Sequence, residues 1–420
     1  MMIVYFPPWH TGGAEKQCWV QAKALAARGH EVTILTEWWS WRSQRREFKD
    51  GVRILRMGLC LPLVALARRI HDALVTWWRT ETDEATRVLS GGGADKSSRR
   101  ICPKRVRLMA PIEWVGQLSF LVEVRWGLST RKLATDIVHV HESHWLAGFG
   151  HWVAEKLNVP VVCTEHSPRE ALVWPGMPDV PGLSHWKIRR LECVFLAISA
   201  RTRASLEEKG ISRMQIVDVH NGVEIPAYLT PAGQQADIIY VGNFTQGAAH
   251  KAFDVLLTAW GKVHNQEPSA RLNIYGSGNV TPWRKYAEQA GCADSVVFRG
   301  ATDRVTDKLL GSGIFVLPSR LEGLSCALLE AQAAGLPAVV SDIEGNVEIV
   351  ENGVNGIVVP VGDADALAAA LVKLYRSPDL RLRLGQAARK RAEEVFAIEK
   401  VVVRLEKAYT HCLSAMKAHA

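Results

Sequence analysis

The sequence predicts an α/β protein built from two doubly wound domains that face each other across a cleft. Three observations predict it. The chain has 420 residues, too many for one ordinary core and enough for two domains of roughly 200 residues. Short apolar runs alternate with helix-period segments along most of it, the rhythm of mainly parallel sheets covered by helices. Near the middle, Thr230-Pro-Ala-Gly-Gln-Gln235 interrupts that rhythm with linker composition. The expected division is an N-terminal domain at 1–229 and a C-terminal domain at 230–397. The last helix, 398–420, is expected to pack back on the first domain.

The elements follow in order. Ile3–Phe6 reads as a short apolar strand and Thr11-Gly12-Gly13-Ala14-Glu15 as a loop. A helix over Lys16–Arg28 has apolar positions at Trp19, Val20, Ala22, Leu25 and Ala26. Gly29 ends it and Glu31–Thr36 forms the next strand, a βαβ start. Residues 38–131 read as helices broken by a flexible linker. They hold Trp38-Trp39-Ser40-Trp41-Arg42, Trp77-Trp78-Arg79, Ser90-Gly-Gly-Gly-Ala94 and a basic run from Arg99 to Arg107. Such a mixture suits ordinary solvated surface helices, or a face that meets membrane headgroups or docks an acceptor. Strands return at Asp136–His141, Val159–Thr164, Val194–Ile198 and Gln215–Val219, before the turn His220–Pro226.

The second half is more regular. Strands at Ile238–Val241, Arg271–Tyr275, Ser295–Phe298, Gly313–Leu317, Pro337–Ser341 and Gly356–Val359 alternate with helices at 251–263, 281–290, 305–311 and 324–334. Helices 363–376, 379–394 and 398–417 follow. The last has apolar residues at 401, 402, 405, 408, 409 and 412, one stripe at helical spacing.

Composition removes several classes. Hydrophobic residues at 48% with 22% charged exclude a disordered chain. The eight cysteines, at 18, 60, 102, 163, 193, 292, 326 and 412, include no C-x-x-C pair. They read as reduced thiols of a cytoplasmic protein. The opening MMIVYFPPWH lacks a basic n-region and a long apolar run, so no signal peptide is expected. No run reaches the roughly 18 apolar residues of a spanning helix. Residues 1–228 carry 31 Lys and Arg against 23 Asp and Glu, whereas 229–420 carry 20 of each. The excess positive charge of the N-terminal half points to an anionic partner: a membrane surface, a phosphate-linked substrate or a nucleic acid.

The chemistry concentrates in Pro318-Ser-Arg-Leu-Glu322-Gly-Leu-Ser-Cys-Ala-Leu-Leu-Glu330-Ala-Gln-Ala-Ala-Gly335-Leu-Pro337. Glu322 sits in a Gly-containing turn and Glu330 in an otherwise apolar helix, where a carboxylate is costly to bury without hydrogen-bond partners. The helix start between them offers free N–H groups and a positive dipole end, a seat for phosphate. A phosphate seat between two carboxylates suits a nucleotide sugar. In Asp136-Ile-Val-His139-Val-His141-Glu142 the odd positions share one strand face, with His141 nearer the C-terminal tip. His139 reads as a hydrogen-bonded core residue. The histidines have no clustered Cys or Asp partners, so no metal site is expected.

The Glu322–Glu330 segment resembles the E-x7-E motif of retaining glycosyltransferases of family 4 (glycosyl transferases group 1), which have the GT-B fold of two Rossmann-like domains. The resemblance runs from Gly12 to the final helix. It is strongest over 313–361 and weakest over 38–131, the region that would choose the acceptor. It implies that Glu322 contacts the donor sugar, that the N–H groups of Gly323, Leu324 and Ser325 bind the diphosphate, and that Glu330 holds the ribose. Leu324 and Ser325 stand where an aromatic residue and a second Gly are common. Lys251 matches one member of a basic pair that neutralises the leaving group. Asn243 stands at the usual Arg position, and Ala252 replaces a Gly. Lys251 then carries the larger share, with His250 or Arg320 as helpers. The resemblance further places Gly12 and Gly13 under the donor phosphates, although a Gly-Gly after a strand is also a plain turn. It puts His141 near the reacting sugar, His144 and His166 on the acceptor side, and Gly276 and Arg299 in the wall around the base.

The activity implied is transfer of a sugar from a nucleotide-diphosphate donor to a glycan or lipid-linked acceptor hydroxyl, with retention and without metal or cofactor. The implied setting is bacterial surface polysaccharide or lipopolysaccharide synthesis at the inner face of the membrane. Two alternatives share the fold: a sugar-nucleotide 2-epimerase and a non-catalytic sugar-nucleotide binder. Nucleic-acid binding would account for the basic half alone.

Overall fold

The computed structural model describes residues 1, 12–37, 44–57, 123–124, 127, 134–141, 145–166, 193–228, 236–244 and 249–419. The expected strand Ile3–Phe6, His144, the linker Thr230–Gln235 and the Trp- and Arg-rich segments expected between 38 and 122 lie outside these residues.

Among the described residues the N-terminal half begins with helix α1 (Gly13–Ala27) and strand β1 (Val32–Glu37). Strands β2 (Arg46–Lys49) and β3 (Val52–Met57) form an antiparallel hairpin, and β3 also pairs in parallel with β1. This corrects the helical reading of 38–131 over its described N-terminal part. Asp50 and Gly51 adopt φ +50° and +78°. That double left-handed turn matches the twist of a hairpin, and Asp-Gly is its usual sequence. Strands β4 (Val138–His141), β5 (Val161–Glu165), β6 (Cys193–Ala197) and β7 (Ile216–Asp218) form a parallel sheet in that order. Helices α2 (Trp145–Leu157) and α3 (Ala200–Glu208) accompany it. Helix α3 begins with a reciprocal cap between Ser199 and Thr202.

Among the described residues the C-terminal half holds six parallel strands: β8 (Ile238–Val241), β9 (Leu272–Tyr275), β10 (Val296–Gly300), β11 (Ile314–Leu317), β12 (Ala338–Ser341) and β13 (Gly356–Val359). They lie in the order β10-β9-β8-β11-β12-β13. Strand order reverses between β8 and β11, and in such sheets ligands bind beyond the carboxyl ends at that reversal. The residues just past those two ends are Gly242-Asn243 and Pro318-Ser319. The covering helices are α4 (Phe253–Gln266), α5 (Thr281–Gln289), α6 (Val305–Leu310), α7 (Cys326–Ala333), α8 (Glu344–Val347), α9 (Ala364–Arg376) and α10 (Pro378–Arg391). Trp260 on α4 lies fully buried in this core, its indole N–H donating to Ser295 Oγ at 2.9 Å.

After a π-helical turn at Ala392–Phe396, helix α11 (Ile398–His419) begins. Val401, Val402, Leu405, Ala408 and Cys412 of its stripe are buried with Val20 and Leu25 of α1 and with Val162 and Leu196 of β5 and β6. The halves also meet where Val223 N–H donates to Phe396 O and Ile398 N–H donates to Val223 O, both at 2.9 Å. Glu348 joins them again: its carboxylate accepts from Ala200 N–H at 2.9 Å and pairs with His220 Nε2 at 2.8 Å.

Candidate active site at the seam between the halves

The loop after β11 is built around Glu322. Ser319 Oγ donates to Glu322 Oε1 at 2.7 Å, and Ser341 Oγ donates to Ser319 O. Lys251 Nζ donates to the same Glu322 oxygen at 2.7 Å. Two sequence candidates 71 positions apart are thus one ion pair, with Glu322 9% and Lys251 20% exposed. Lys251 closes a 3₁₀ turn (Ala249–Lys251), and Ala252 behind it sits at φ +53°. Only Gly adopts that conformation without strain, which accounts physically for a Gly preference there. Arg320 is held by Asp254 through two bonds of 2.9 and 2.6 Å. Its backbone N–H donates to His250 O at 2.7 Å.

A neighbouring element contributes what the sequence did not reveal. A Cβ on Gly345 of α8 would lie 2.6 Å from the carbonyl oxygens of both Glu322 and Gly323. The bare glycine lets α8 press on the loop that holds Glu322. Tyr240 is fully buried nearby, its hydroxyl without a hydrogen-bond partner among the described residues. Burial, with the Glu322 charge close by, holds its phenol well above the ordinary value.

The start of α7 follows. Ser325 caps it by accepting from Leu328 N–H, and Leu324 is buried. Four residues on, Glu330 is 13% exposed and pairs with Lys16 of α1, in the opposite half. The two helix starts face each other: a Cβ on Gly13 would stand 3.4 Å from Cys326 Sγ, and that thiol donates to Gly13 O at 3.6 Å. Burial, reinforced by Glu330, raises the Cys326 thiol to about 11, so it stays protonated. Asn221 Nδ2 donates to Leu324 O at 2.9 Å, and Gln17 exchanges two 2.8 Å bonds with the backbone of Gly222. Gly12 caps α1 and its carbonyl accepts from Lys16 N–H.

At the tips of β4 and β5 the histidines form a chain. His139 is buried between Tyr409 Oη at 2.6 Å and Thr164 Oγ1 at 2.7 Å, the core role expected for it. The His139 and His141 rings lie 4.3 Å apart. His141 Nδ1 and His166 Nε2 are hydrogen-bonded at 2.9 Å. His141 Nε2 and His166 Nδ1 are buried without partners among the described residues. The His166 carbonyl lies against the Glu322 loop, 2.6 Å from where a Gly323 Cβ would be. Burial lowers His139 and His141 well below the usual imidazole value, and His166 to about 4. All three are neutral near pH 7.

The unfolded chain takes up protons on these rings below about pH 6.5 while the folded chain does not, so folding stability is full above that pH. It falls as pH drops from 6.5 toward about 4, the His166 value. Melting temperature measured from pH 7.5 to 4.5 is expected to fall in that window, and less steeply in His166→Phe. Equal slopes in both proteins would show that His166 does not contribute.

The remaining candidates lie along the sheet edge. Asn243 Oδ1 accepts from Ser277 N–H at 3.1 Å and Ser277 Oγ–H at 2.8 Å, fastening the loops after β8 and β9. Gly276, at φ +155°, lies so close to Gly242 O that a side chain would collide. Arg299 Nε donates to Asn273 Oδ1 at 3.0 Å, tying β10 to β9.

The site at the strand-order reversal is flanked by two glutamate–lysine pairs and faced by the other Rossmann-like half, the architecture of enzymes with two such domains. The comparisons with known proteins agree. The Glycosyl transferase 4-like domain family matches residues 12–222, and the Glycosyl transferases group 1 family matches 235–377. The chain belongs to this glycosyltransferase family. It is 32% identical over 423 aligned residues to an exopolysaccharide phosphotransferase of Streptomyces coelicolor. That alignment covers 99% of this chain and 41% of the relative, so the chain spans less than half of that protein's length. Among solved structures, sucrose-phosphate synthase from Thermosynechococcus elongatus superposes with a TM-score of 0.71 at 18% identity, covering 99% of this chain and 98% of the other. The Anabaena protein HepE, in complex with UDP and glucose, superposes with a TM-score of 0.66 at 14% identity, covering 98% and 100%. The fold is GT-B.

Proposed function

We propose that the chain transfers a sugar from a nucleotide-diphosphate donor to a hydroxyl of a glycan or lipid-linked acceptor, with retention of configuration. The observation that carries this reading is the 2.7 Å contact of Lys251 with Glu322 beside the start of α7, at the strand-order reversal. A cation and helix N–H groups there stabilise a departing diphosphate. Glu322 and Glu330 accept from the hydroxyls of the donor sugar and ribose. His141, neutral and with its Nε2 unpartnered among the described residues, hydrogen-bonds the sugar opposite Glu322. The acceptor oxygen attacks the anomeric carbon on the face from which the diphosphate leaves. The bond to phosphate breaks, and the leaving phosphate takes the acceptor proton. Gly12 and Gly13 let the chain approach the phosphates closely, and Asn243 and Gly276 line the donor side. Lys251 and the helix start supply the charge that a metal would otherwise supply, so the reaction proceeds without one.

The HepE complex with UDP and glucose supports the ligand class, and the exopolysaccharide relative supports bacterial surface polysaccharide synthesis. Among the described residues no helix is long and apolar enough to cross a membrane. The basic charge of residues 1–228 supports contact of that half with the anionic inner face of a membrane, where a lipid-linked acceptor is presented.

A thermal-shift screen over nucleoside diphosphates and their sugars tests the reading. Ligand at 100 times its Kd adds about 2.7 kcal/mol of stability, so one base series is expected to raise the melting temperature by several degrees. No shift with any nucleotide would overturn the assignment. Product configuration read by NMR tests retention, and a rate abolished by EDTA would count against the metal-free step.

A further inference from the structure

The geometry points to Lys16 as the second cation for the donor diphosphate, supplied by the N-terminal half and exchanged from Glu330 when the nucleotide arrives. This rests on the function proposed above and extends it to a residue of the opposite domain.

Two lysines and two glutamates flank the start of α7, and each lysine is neutralised by a glutamate. Lys251 pairs with Glu322 within the C-terminal half, while Lys16 pairs with Glu330 across the seam. A diphosphate brings about two negative charges and no hydrogen-bond donors. A sugar and a ribose bring neutral hydroxyls that donate. Binding therefore reshuffles partners: the phosphates take both lysines and the hydroxyls take both glutamates. No buried carboxylate is left bare, which would be costly.

Placement favours Lys16. It lies one turn along α1 from Gly12 and Gly13, as Glu330 lies one turn along α7 from Cys326. Gly13 abuts Cys326, so the positive ends of α1 and α7 converge beside it. Lys16 is 41% exposed, and its stem is long and flexible, so changing partner demands no rearrangement of the core. Arg320 is already held by Asp254, and Asn243 brings no charge. Because Lys16 belongs to one half and Lys251 to the other, the diphosphate would be gripped from both sides, coupling closure to the leaving group.

The test is calorimetric titration of the full chain with UDP and UMP, repeated with the guanine, adenine and thymine pairs to find the base. The wild type is expected to prefer the diphosphate. Lys16→Met is expected to lower diphosphate affinity by about 10- to 100-fold, the loss of one hydrogen bond to a charged group. Its monophosphate affinity should stay the same or rise, since Glu330 loses a competitor, and this also shows that the variant is folded. Lys16→Arg is expected to keep the preference. Unchanged diphosphate affinity in Lys16→Met, or an equal loss for both nucleotides, would overturn the proposal and leave Lys16 as a strut. A wild type that binds no nucleotide would instead overturn the function on which it rests.

Discussion

Lys251→Ala is expected to lower turnover about 10²- to 10³-fold, the cost of removing one preorganised group that stabilises charge in a transition state. The donor's KM should change less, because the charge on the diphosphate grows as the bond to the sugar breaks. Glu322→Ala is expected to fall in the same range for a different reason. It removes the carboxylate that orients the sugar hydroxyls and the group to which Lys251 and Ser319 donate. Because the two side chains share one contact, the double variant should lose much less than the product of the single losses. The measurement is single-turnover and steady-state kinetics with a matched donor. Near-normal turnover in both single variants would remove the assignment. Fully multiplicative losses would show that the 2.7 Å pair does not act as a unit.

Trp260→Ala is expected to destabilise the C-terminal half by about 3–5 kcal/mol, the range for truncating a large buried aromatic. The indole has no solvent exposure, and its N–H holds Ser295 Oγ, which donates in turn to Cys292 O at 2.9 Å. Truncation leaves a cavity and takes away the N–H donor to Ser295 Oγ, which keeps its own bond to Cys292 O. Trp260→Phe keeps most of the packing and should cost clearly less. A chain whose buried apolar residues fall into several separate clusters need not unfold in a single step. Chemical denaturation should therefore be followed by probes in each half, and only the C-terminal transition is expected to move substantially. A shift below about 1 kcal/mol would mean that the core refills around the site.

Much of the fold was legible in the residues themselves. Parallel strands buried on both faces read as short apolar runs, and β8 and β13 fall at their expected bounds, Ile238–Val241 and Gly356–Val359. The stripe on α11 was visible at helical spacing and is buried as such. The hairpin at 46–57 carried its signal in Asp50-Gly51, but the Trp- and Arg-rich surroundings drew the whole stretch into a helical reading. The histidines show the other kind of limit. Period 2 placed His139 and His141 on one face, yet nothing local brings His166 to 2.9 Å from His141. That contact arises because β4 and β5 are parallel neighbours, with His141 opposite Thr164 in register.

The same division holds at the two glutamates. By itself the sequence determined a helix start between two carboxylates, and a lysine and glycines suited to phosphate, because spacing along one helix or strand is a local property. Only the tertiary structure decided the partners: Lys251 on Glu322, Lys16 on Glu330, Gly345 beneath the loop, Asn221 on Leu324. Those contacts join residues up to about 300 positions apart. They depend on where strand order reverses and on how the two halves meet, and no local pattern encodes either.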